Sequence, residues 1–197
     1  MKLLAFSDLH RDRERAEHLV ELASEADVVV GAGDYATIRI GLERTIETLS
    51  VIATPTVLVP GNAESDTELW RACSAWPSAD VLHGQAKEIA GVQFFGLGGG
   101  VPPTPFPWSF DLSEDEAAGK LELCPEGAVL VVHAPPKGYV DEVHGRHRGS
   151  RSILEVIERK RPVLVVCGHI HQCWGGETAI GITPVVNVGP EGRLLEI

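Results

Sequence analysis

The sequence predicts an α/β protein in which helices cover a largely parallel sheet. Three observations predict it. Short apolar runs at residues 3–6, 28–30 and 56–59 are each followed by apolar residues at helical spacing, the alternation that builds βαβ units. The runs are apolar throughout rather than at every second position, as befits strands covered on both faces. Glycine and proline, 21 and 13 of 197 residues, favour many short connections over long helices.

Residues 3–6 read as the first strand, and residues 7–11 turn into a helix whose face is Ala16, Leu19, Val20 and Ala23, spaced i, i+3, i+4 and i+7. Residues 28–30 form the second strand, followed by GAGDY and a helix with Ile38, Leu42, Ile46 and Leu49 on its apolar face. The third strand, 56–59, leads through PGNAE into a helix carrying Leu69, Ala72, Cys73 and Trp76. Residues 80–82, 86–90 and 92–97 read as short strands joined by tight turns and paired antiparallel. GLGGGVPPTPFPWSF, residues 96–110, is too rich in Gly and Pro for either regular element and forms a long loop. Ser113 and Glu116 are spaced as a capping box opening a short acidic surface helix over 113–122. Strands at 128–132 and 163–166 flank a helix over 152–160, and strands at 183–188 and 194–197 follow. No repeat or linker divides residues 1–197, which read as one domain, long enough to bury about 70% of its unfolded surface.

Seventeen basic against 28 acidic residues give a formal net charge of −11, which argues against stable binding to a nucleic-acid backbone. A small phosphate ester held by metals stays compatible, because bound cations invert the local field. The apolar stretch near Met1 is too short for a signal segment, and no run approaches the roughly 18 apolar residues of a spanning helix. The expectation is a cytoplasmic protein without a membrane partner, with homo-oligomerisation left open. Cys73, Cys124, Cys167 and Cys173 contain no CxxC, and the first three sit beside apolar residues, as buried free thiols do.

Polar residues of metal-ligand type follow the strands: Asp8 and His10, Asp34, Asn62, His133, then His169 and His171 in CGHIH. Alone, each reads equally well as a cap, turn or packed residue. Seven of them at strand C-termini are hard to explain that way, because open α/β sheets gather ligands at this edge. Asp8, Asp34 and Asn62 are spaced by 26 and 28 residues, one βαβ step apiece. Carboxylates combined with imidazoles suit Mn, Fe or Zn, whereas an all-oxygen set suits Mg or Ca. Asp34 is the natural bridge, since one carboxylate can span two ions about 3.5–4 Å apart.

The ordered blocks DLH at 8–10, GAGD at 31–34, GNAE at 61–64, His133, and GHIH at 168–171 resemble the calcineurin-like metallophosphoesterase family. The resemblance implies a four-layer αββα sandwich of two mixed sheets, with a dinuclear metal site at the strand C-terminal ends. It assigns Asp8, His10, Asp34 and His171 to one ion, and Asp34, Asn62, His133 and His169 to the other. Two divalent ions are implied, Mn2+ first, with Fe, Zn, Ni and Mg as alternatives, and a bridging hydroxide that attacks phosphorus in line. The implied substrate is a small phosphate ester.

One position departs from the family pattern. Many members carry GNH before an acidic residue, and their histidine serves the leaving group or the phosphoryl oxygen; here Ala63 stands in its place. Positioned acid catalysis contributes about 10²–10⁴-fold, so its loss is felt most on poor leaving groups. Related bacterial members without the histidine tend to act on phosphodiesters, which makes a phosphodiesterase the leading expectation. A phosphomonoesterase, including a protein phosphatase, and a catalytically weak metal-binding scaffold for a protein partner are the alternatives. Glu64 keeps the acidic end of the motif and is expected to orient His10.

The stretch HAPPKGYVDEVHGRHRGS, residues 133–150, adds Arg146, His147 and Arg148 near the site in chain terms. An arginine there can grip phosphoryl oxygens bidentately, and His144 or His147 can replace the absent acid. Equally, these residues can simply offset Asp141 and Glu142 on a solvated face. The catalytic candidates are therefore Asp34, Asn62, His133, His147 and Arg148. Arg11 and Tyr35 are candidates for substrate contact, and Phe106 and Trp108 for a stacking rim or a packed lid. Gly98 to Gly100 lack the spacing of a phosphate-binding loop and are expected to let the chain pass close under the site.

Overall fold

The computed structural model describes residues 1–197. Along the chain lie β1 (Lys2–Phe6), α1 (Arg13–Leu22), β2 (Val28–Gly31), α2 (Leu42–Leu49), β3 (Thr56–Leu58), α3 (Asp66–Ala72), β4 (Ala79–Val81), β5 (Gln85–Ile89) and β6 (Val92–Leu97). They continue with α4 (Glu114–Leu121), β7 (Val129–Val132), β8 (Glu142–Val143), β9 (Arg146–His147), α5 (Arg151–Lys160), β10 (Leu164–Cys167), β11 (Glu177–Ile180), β12 (Thr183–Asn187) and β13 (Arg193–Glu196).

One sheet has the order β13-β1-β2-β3-β4 and the other β11-β12-β10-β7-β6-β5. Within the first, β1 to β4 are parallel and β13 joins antiparallel to β1. Within the second, β12, β10, β7 and β6 are parallel, and both edges, β11 and β5, are antiparallel. Both sheets are thus mixed, as the resemblance implied.

The apolar runs divide their side chains between two cores, as strand geometry requires. In the first sheet Leu4, Phe6, Val29 and Leu58 pack in the core that also holds α1–α3 residues such as Leu19, Ile46 and Leu69. Leu3, Ala5, Val28, Val30 and Val57 share a core with Phe94, Val129, Val131, Leu164 and Val166 of the second sheet. The other face of that sheet, with Phe95, Leu130, Val132 and Val165, packs with Ala117 and Leu121 of α4 and Ile153, Val156 and Ile157 of α5. The layers are therefore helices, sheet, sheet, helices. Each large aliphatic side chain in them contributes about 1.5–3 kcal/mol by burial.

The outer helices are tied together at their ends. Ser113 and Glu116 form the expected capping box on α4. The residue after Ser113, Glu114, accepts hydrogen bonds from Ser150 Oγ (2.7 Å), Arg151 N (2.9 Å), Ser152 N (2.9 Å) and Ser152 Oγ (2.7 Å). A carboxylate thus sits on the positive end of α5 and satisfies its free N–H groups.

Several expectations are corrected. β4 is not antiparallel to its neighbours but continues the first sheet parallel to β3, and only β5 and β6 form the antiparallel hairpin. The chain changes sheets between β4 and β5. Ile38 is not on the α2 face: it lies exposed in a turn, and α2 starts only after Gly41, whose φ of 84° breaks the helical path. The strands β8, β9 and β11 were not expected from sequence; two are only two residues long, and β11 is a largely polar edge. All four cysteines are free, and Cys73, Cys124 and Cys167 are buried.

Candidate metal centre

The C-terminal ends of β1, β2 and β3 in one sheet and of β7 and β10 in the other bring together all seven expected ligand residues. The turns that carry them are tight. Asp8, His10, Asp34 and His169 take left-handed backbone, with φ of 54°, 46°, 59° and 67°, a conformation that costs about 1–3 kcal/mol per residue and clusters at functional sites. Hydrogen bonds hold the turns to one another: Asp8 N to Gly33 O (2.8 Å), His10 N to Asp34 O (2.9 Å) and Gly168 N to His133 O (3.0 Å). Two glycines are required by close approach. A Cβ on Gly61 would collide with the Asp34 carboxylate, and one on Gly168 would lie 2.5 Å from Asp8 Oδ2.

Asp34 stands at the middle, with Oδ2 3.5 Å from His10 Nε2 and Oδ1 3.5 Å from His133 Nε2. On the Oδ2 side, His10 Nε2 and His171 Nε2 approach to 3.1 Å, and His171 Nε2 is 3.7 Å from Asp8 Oδ1. On the Oδ1 side, Asn62 Oδ1 lies 3.2 Å from His133 Nε2 and 3.0 Å from His169 Nδ1. Asp8, His10 and His171 converge closely enough for a single ion, as do Asp8, Asp34 and His133.

The donor chemistry fits cations. His133 Nδ1 is 2.7 Å from Ala32 O, and His10 Nδ1 is 3.0 Å from Ala36 O. A carbonyl accepts only from an N–H, so both rings carry their proton on Nδ1 and turn an Nε2 lone pair inward. Asn62 turns its carbonyl oxygen the same way, because its Nδ2 donates to Ser109 Oγ at 2.9 Å. Several lone pairs thus face one another in a largely buried place, which is costly unless a cation lies between them.

For His169, His171 and Asp34 the protonation tendencies agree, while His133 and Asp8 are shifted the other way when no ion is bound. Burial, with His133 adjacent, pushes His169 down to about 3, so it is neutral and able to ligate. His171 is lowered by burial, although Asp8 opposes the shift. Burial also works to lower His133, but the Asp34 and Asp8 carboxylates outweigh it and raise the group. Asp34 is lowered against its own burial by His133 and His10, while burial raises Asp8.

Other residues fall out differently from expectation. Glu64 does not orient His10. Its carboxylate accepts from Asp34 N (2.9 Å), Ala36 N (2.9 Å) and Gly61 N (2.7 Å), so it braces the turns beneath the centre. Burial and then Asp34 push its pKa up to about 7. Tyr35 is completely buried in the core with α1–α3 and does not reach substrate. The Arg11 side chain lies against Gly41 in a cleft beside Arg13 and Arg44. Gly98 and Gly99 do pass close to Pro60, Gly99 N donating to Pro60 O at 3.0 Å. Phe106 and Trp108 stack on each other with centroids 5.3 Å apart; Trp108 also packs against the α1–α3 core while Phe106 is exposed.

His147 and Arg148 lie on the exposed arm that carries β8 and β9. His147 Nδ1 pairs with the buried Asp141 at 2.7 Å, and Asp141 also accepts from Gly138 N (3.0 Å) and Gly149 N (2.8 Å). The base of this arm meets the turn carrying His171, where the Cys173 thiol donates to Glu142 O at 3.6 Å. Two neighbours of the centre were missed from sequence. Trp174 donates its indole N–H to Asp8 Oδ2 (3.1 Å) and packs on His171 at 4.3 Å. Ser109 holds Asn62 from within the Gly/Pro-rich loop.

A four-layer sandwich with carboxylates, an amide and imidazoles gathered where its two sheets meet is the architecture of a metal-dependent phosphoesterase. The family model described as calcineurin-like phosphoesterase matches residues 1–173, and the chain belongs to that family. The UPF0046 protein K07C11.7 of Caenorhabditis elegans is 32% identical over 94 residues, covering 48% of this chain and 32% of the relative. The chain thus spans about a third of that curated protein. Among solved structures, the protein TT1561 of Thermus thermophilus superposes with a TM-score of 0.76 at 21% identity, over 96% of this chain and 90% of the other. A dimetal phosphatase from Danio rerio gives 0.63 at 12% identity, over 96% and 88%. These likenesses are of fold. No helix is long and apolar enough to cross a membrane.

Proposed function

We propose that the protein is a phosphodiesterase dependent on two divalent ions, with Mn2+ the ion to supply first. Asp8, His10, Asp34 and His171 hold one ion, and Asp34, Asn62, His133 and His169 the other; the two oxygens of Asp34 turned toward the two groups support that division. Bound there, such ions polarise phosphoryl oxygens and lower the pKa of water. The observation that carries the preference for diesters is Ala63. Its side chain is only 1% exposed, and its N–H donates to Asp34 Oδ1 at 2.8 Å. The position therefore offers a backbone bond to the bridging carboxylate and no side-chain proton to a leaving group.

A monoester dianion brings one more negative charge than a diester, and it gains more from an imidazolium at this position. The chain's remaining candidates for contact with substrate are on the arm at 138–149. Asp141 holds His147 through Nδ1 and so orients the ring; Nε2 donates to a phosphoryl or leaving-group oxygen when the ring is an imidazolium and accepts when it is neutral. Arg148, whose N–H donates to Asp141 O at 3.0 Å, supplies the guanidinium that grips non-bridging oxygens.

The test compares bis(p-nitrophenyl) phosphate with p-nitrophenyl phosphate on metal-free protein reloaded with Mn2+. The expected result is a higher kcat/KM on the diester, with Arg148→Ala raising KM. Faster monoester turnover refutes the diester reading, and full metal uptake with no turnover on either ester refutes catalysis.

A further inference from the structure

We infer that Ser109 and Asp111 are positioning residues that set which end of the Asn62 amide faces the metal centre. The inference rests on the ligand set proposed above. An amide is nearly symmetrical in shape, so packing does not distinguish its oxygen from its nitrogen, and the hydrogen bonds around it must choose. Here the choice is made by a single proton. Ser109 Oγ donates its hydrogen to Asp111 Oδ1 at 2.7 Å. With that proton spent, Ser109 can only accept from Asn62, and only Nδ2 can donate, at 2.9 Å. Asn62 Oδ1 is left 3.2 Å from His133 Nε2 and 3.0 Å from His169 Nδ1.

Asp111 is fixed in turn. Its other oxygen, Oδ2, accepts from Thr104 N (2.8 Å) and Thr104 Oγ1 (2.9 Å). The backbone is held as well, with Phe110 N donating to Asn62 O at 2.9 Å and Gly100 N to Phe110 O at 3.0 Å. The loop therefore reaches the centre through one directed chain, Thr104 to Asp111, Ser109 to Asp111, and Asn62 to Ser109. A reversed amide would put N–H groups against the lone pairs of His133 and His169 and repel a cation from their side of Asp34. On the Asp8, His10 and His171 side the relay has no member, so its effect is confined to one ion.

The experiment titrates Mn2+ into the metal-free protein, followed by calorimetry and electron paramagnetic resonance. Wild type is expected to take up two ions with the spectrum of a coupled pair. Ser109→Ala should bind one ion as wild type does and the other about 10–100-fold more weakly, the usual cost of losing a partner behind a ligand. At one equivalent it should show the six-line spectrum of an isolated Mn2+. Ser109→Thr keeps the hydroxyl and should restore the coupled pair. Asp111→Ala keeps the hydroxyl but frees its proton, which can then be donated to Asn62 Oδ1, so it should behave like Ser109→Ala.

Ser109→Ala holding both ions at wild-type affinity overturns the relay and leaves the ligand set standing. Loss of both ions alike in Ser109→Ala also overturns it, since the effect is then a general collapse. Wild type that takes up fewer than two ions overturns the ligand set, and the relay with it.

Discussion

Around Asp34 the centre divides into a sealed half and an open one. The His133 side chain is 0% exposed, whereas His10 is 29% and His171 47% exposed. The sealed half is braced from several directions: Ala32 O fixes His133, Ser109 fixes Asn62, and Asn62 Oδ1 meets His169. The open half relies on Ala36 O behind His10 and on Trp174, which packs on His171 and donates to Asp8. On the proposed ligand set, the difference teaches that one protein would hold two neighbouring ions by different means. On one side the lone pairs are desolvated and pre-aimed; on the other, solvent reaches the His10 and His171 rings.

The largest expected effect erases the comparison. Asp34→Asn removes the carboxylate charge shared by both halves, and turnover should fall by more than the roughly 100-fold typical of a change behind the ligands. Metal analysis after gel filtration should find both ions lost, and turnover equal to wild type contradicts the shared role. Next, the halves can be separated with His133→Ala and His171→Ala. The first leaves Ala32 O without its donor inside the core and should cost the metal-free protein about 1–3 kcal/mol. The second changes a partly exposed side chain and should stay within about 0.5 kcal/mol. Urea unfolding of both variants in chelator checks this, and equal losses would remove the distinction between sealed and open.

A smaller effect is expected from Trp174→Phe, which keeps a ring against His171 but withdraws the N–H from Asp8. The open-half ion should weaken about tenfold while the other is unchanged, as read by Mn2+ titration. A last effect lies outside both halves. Glu114→Gln removes the anionic cap of α5 and should cost about 1 kcal/mol at pH 7, with metal binding untouched. Burial works to raise Glu114, but hydrogen bonds from Ser152, Arg151 and Ser150 outweigh it and lower its pKa. A depressed carboxyl stabilises the fold above its unfolded pKa of about 4.5, and that stability is lost as pH falls through the folded value. Wild type should therefore lose stability in acid more steeply than Glu114→Gln, and parallel acid limbs refute the assignment.

The candidate ligand set was legible because each member is among the first polar residues after an apolar run that needs cover on both faces. Such a run stops where the sheet edge meets solvent, so Asp8, Asp34, Asn62, His133 and the HIH segment mark that edge in the sequence itself. What was not legible depended on direction. The β4 run carries the same apolar pattern whether it pairs parallel or antiparallel, and its place beside β3 is decided by the chain continuing the first sheet before it crosses to the second. Glu64 is adjacent to the motif, but only the folded turns show its oxygens spent on Asp34, Ala36 and Gly61 N–H groups. Ser109 sits in a loop whose Gly and Pro content hides any periodicity, and Trp174 follows a single helical turn. Neither has a pattern around it that announces a partner. Ile38 kept the helical spacing of α2, yet Gly41 interrupts the backbone between them.

The contact between Asp8 and His169 joins residues 161 positions apart, with His169 N donating to both carboxylate oxygens at 3.1 Å. On the ribosome this separation becomes a delay. Strands β1 to β3 emerge with Asp8, His10, Asp34 and Asn62, but the imidazoles of the second sheet follow only when β7 and β10 have left the exit tunnel, and β13, which completes the first sheet, comes later still. Contacts this distant in sequence form late, so the proposed site is complete only once the two sheets have met.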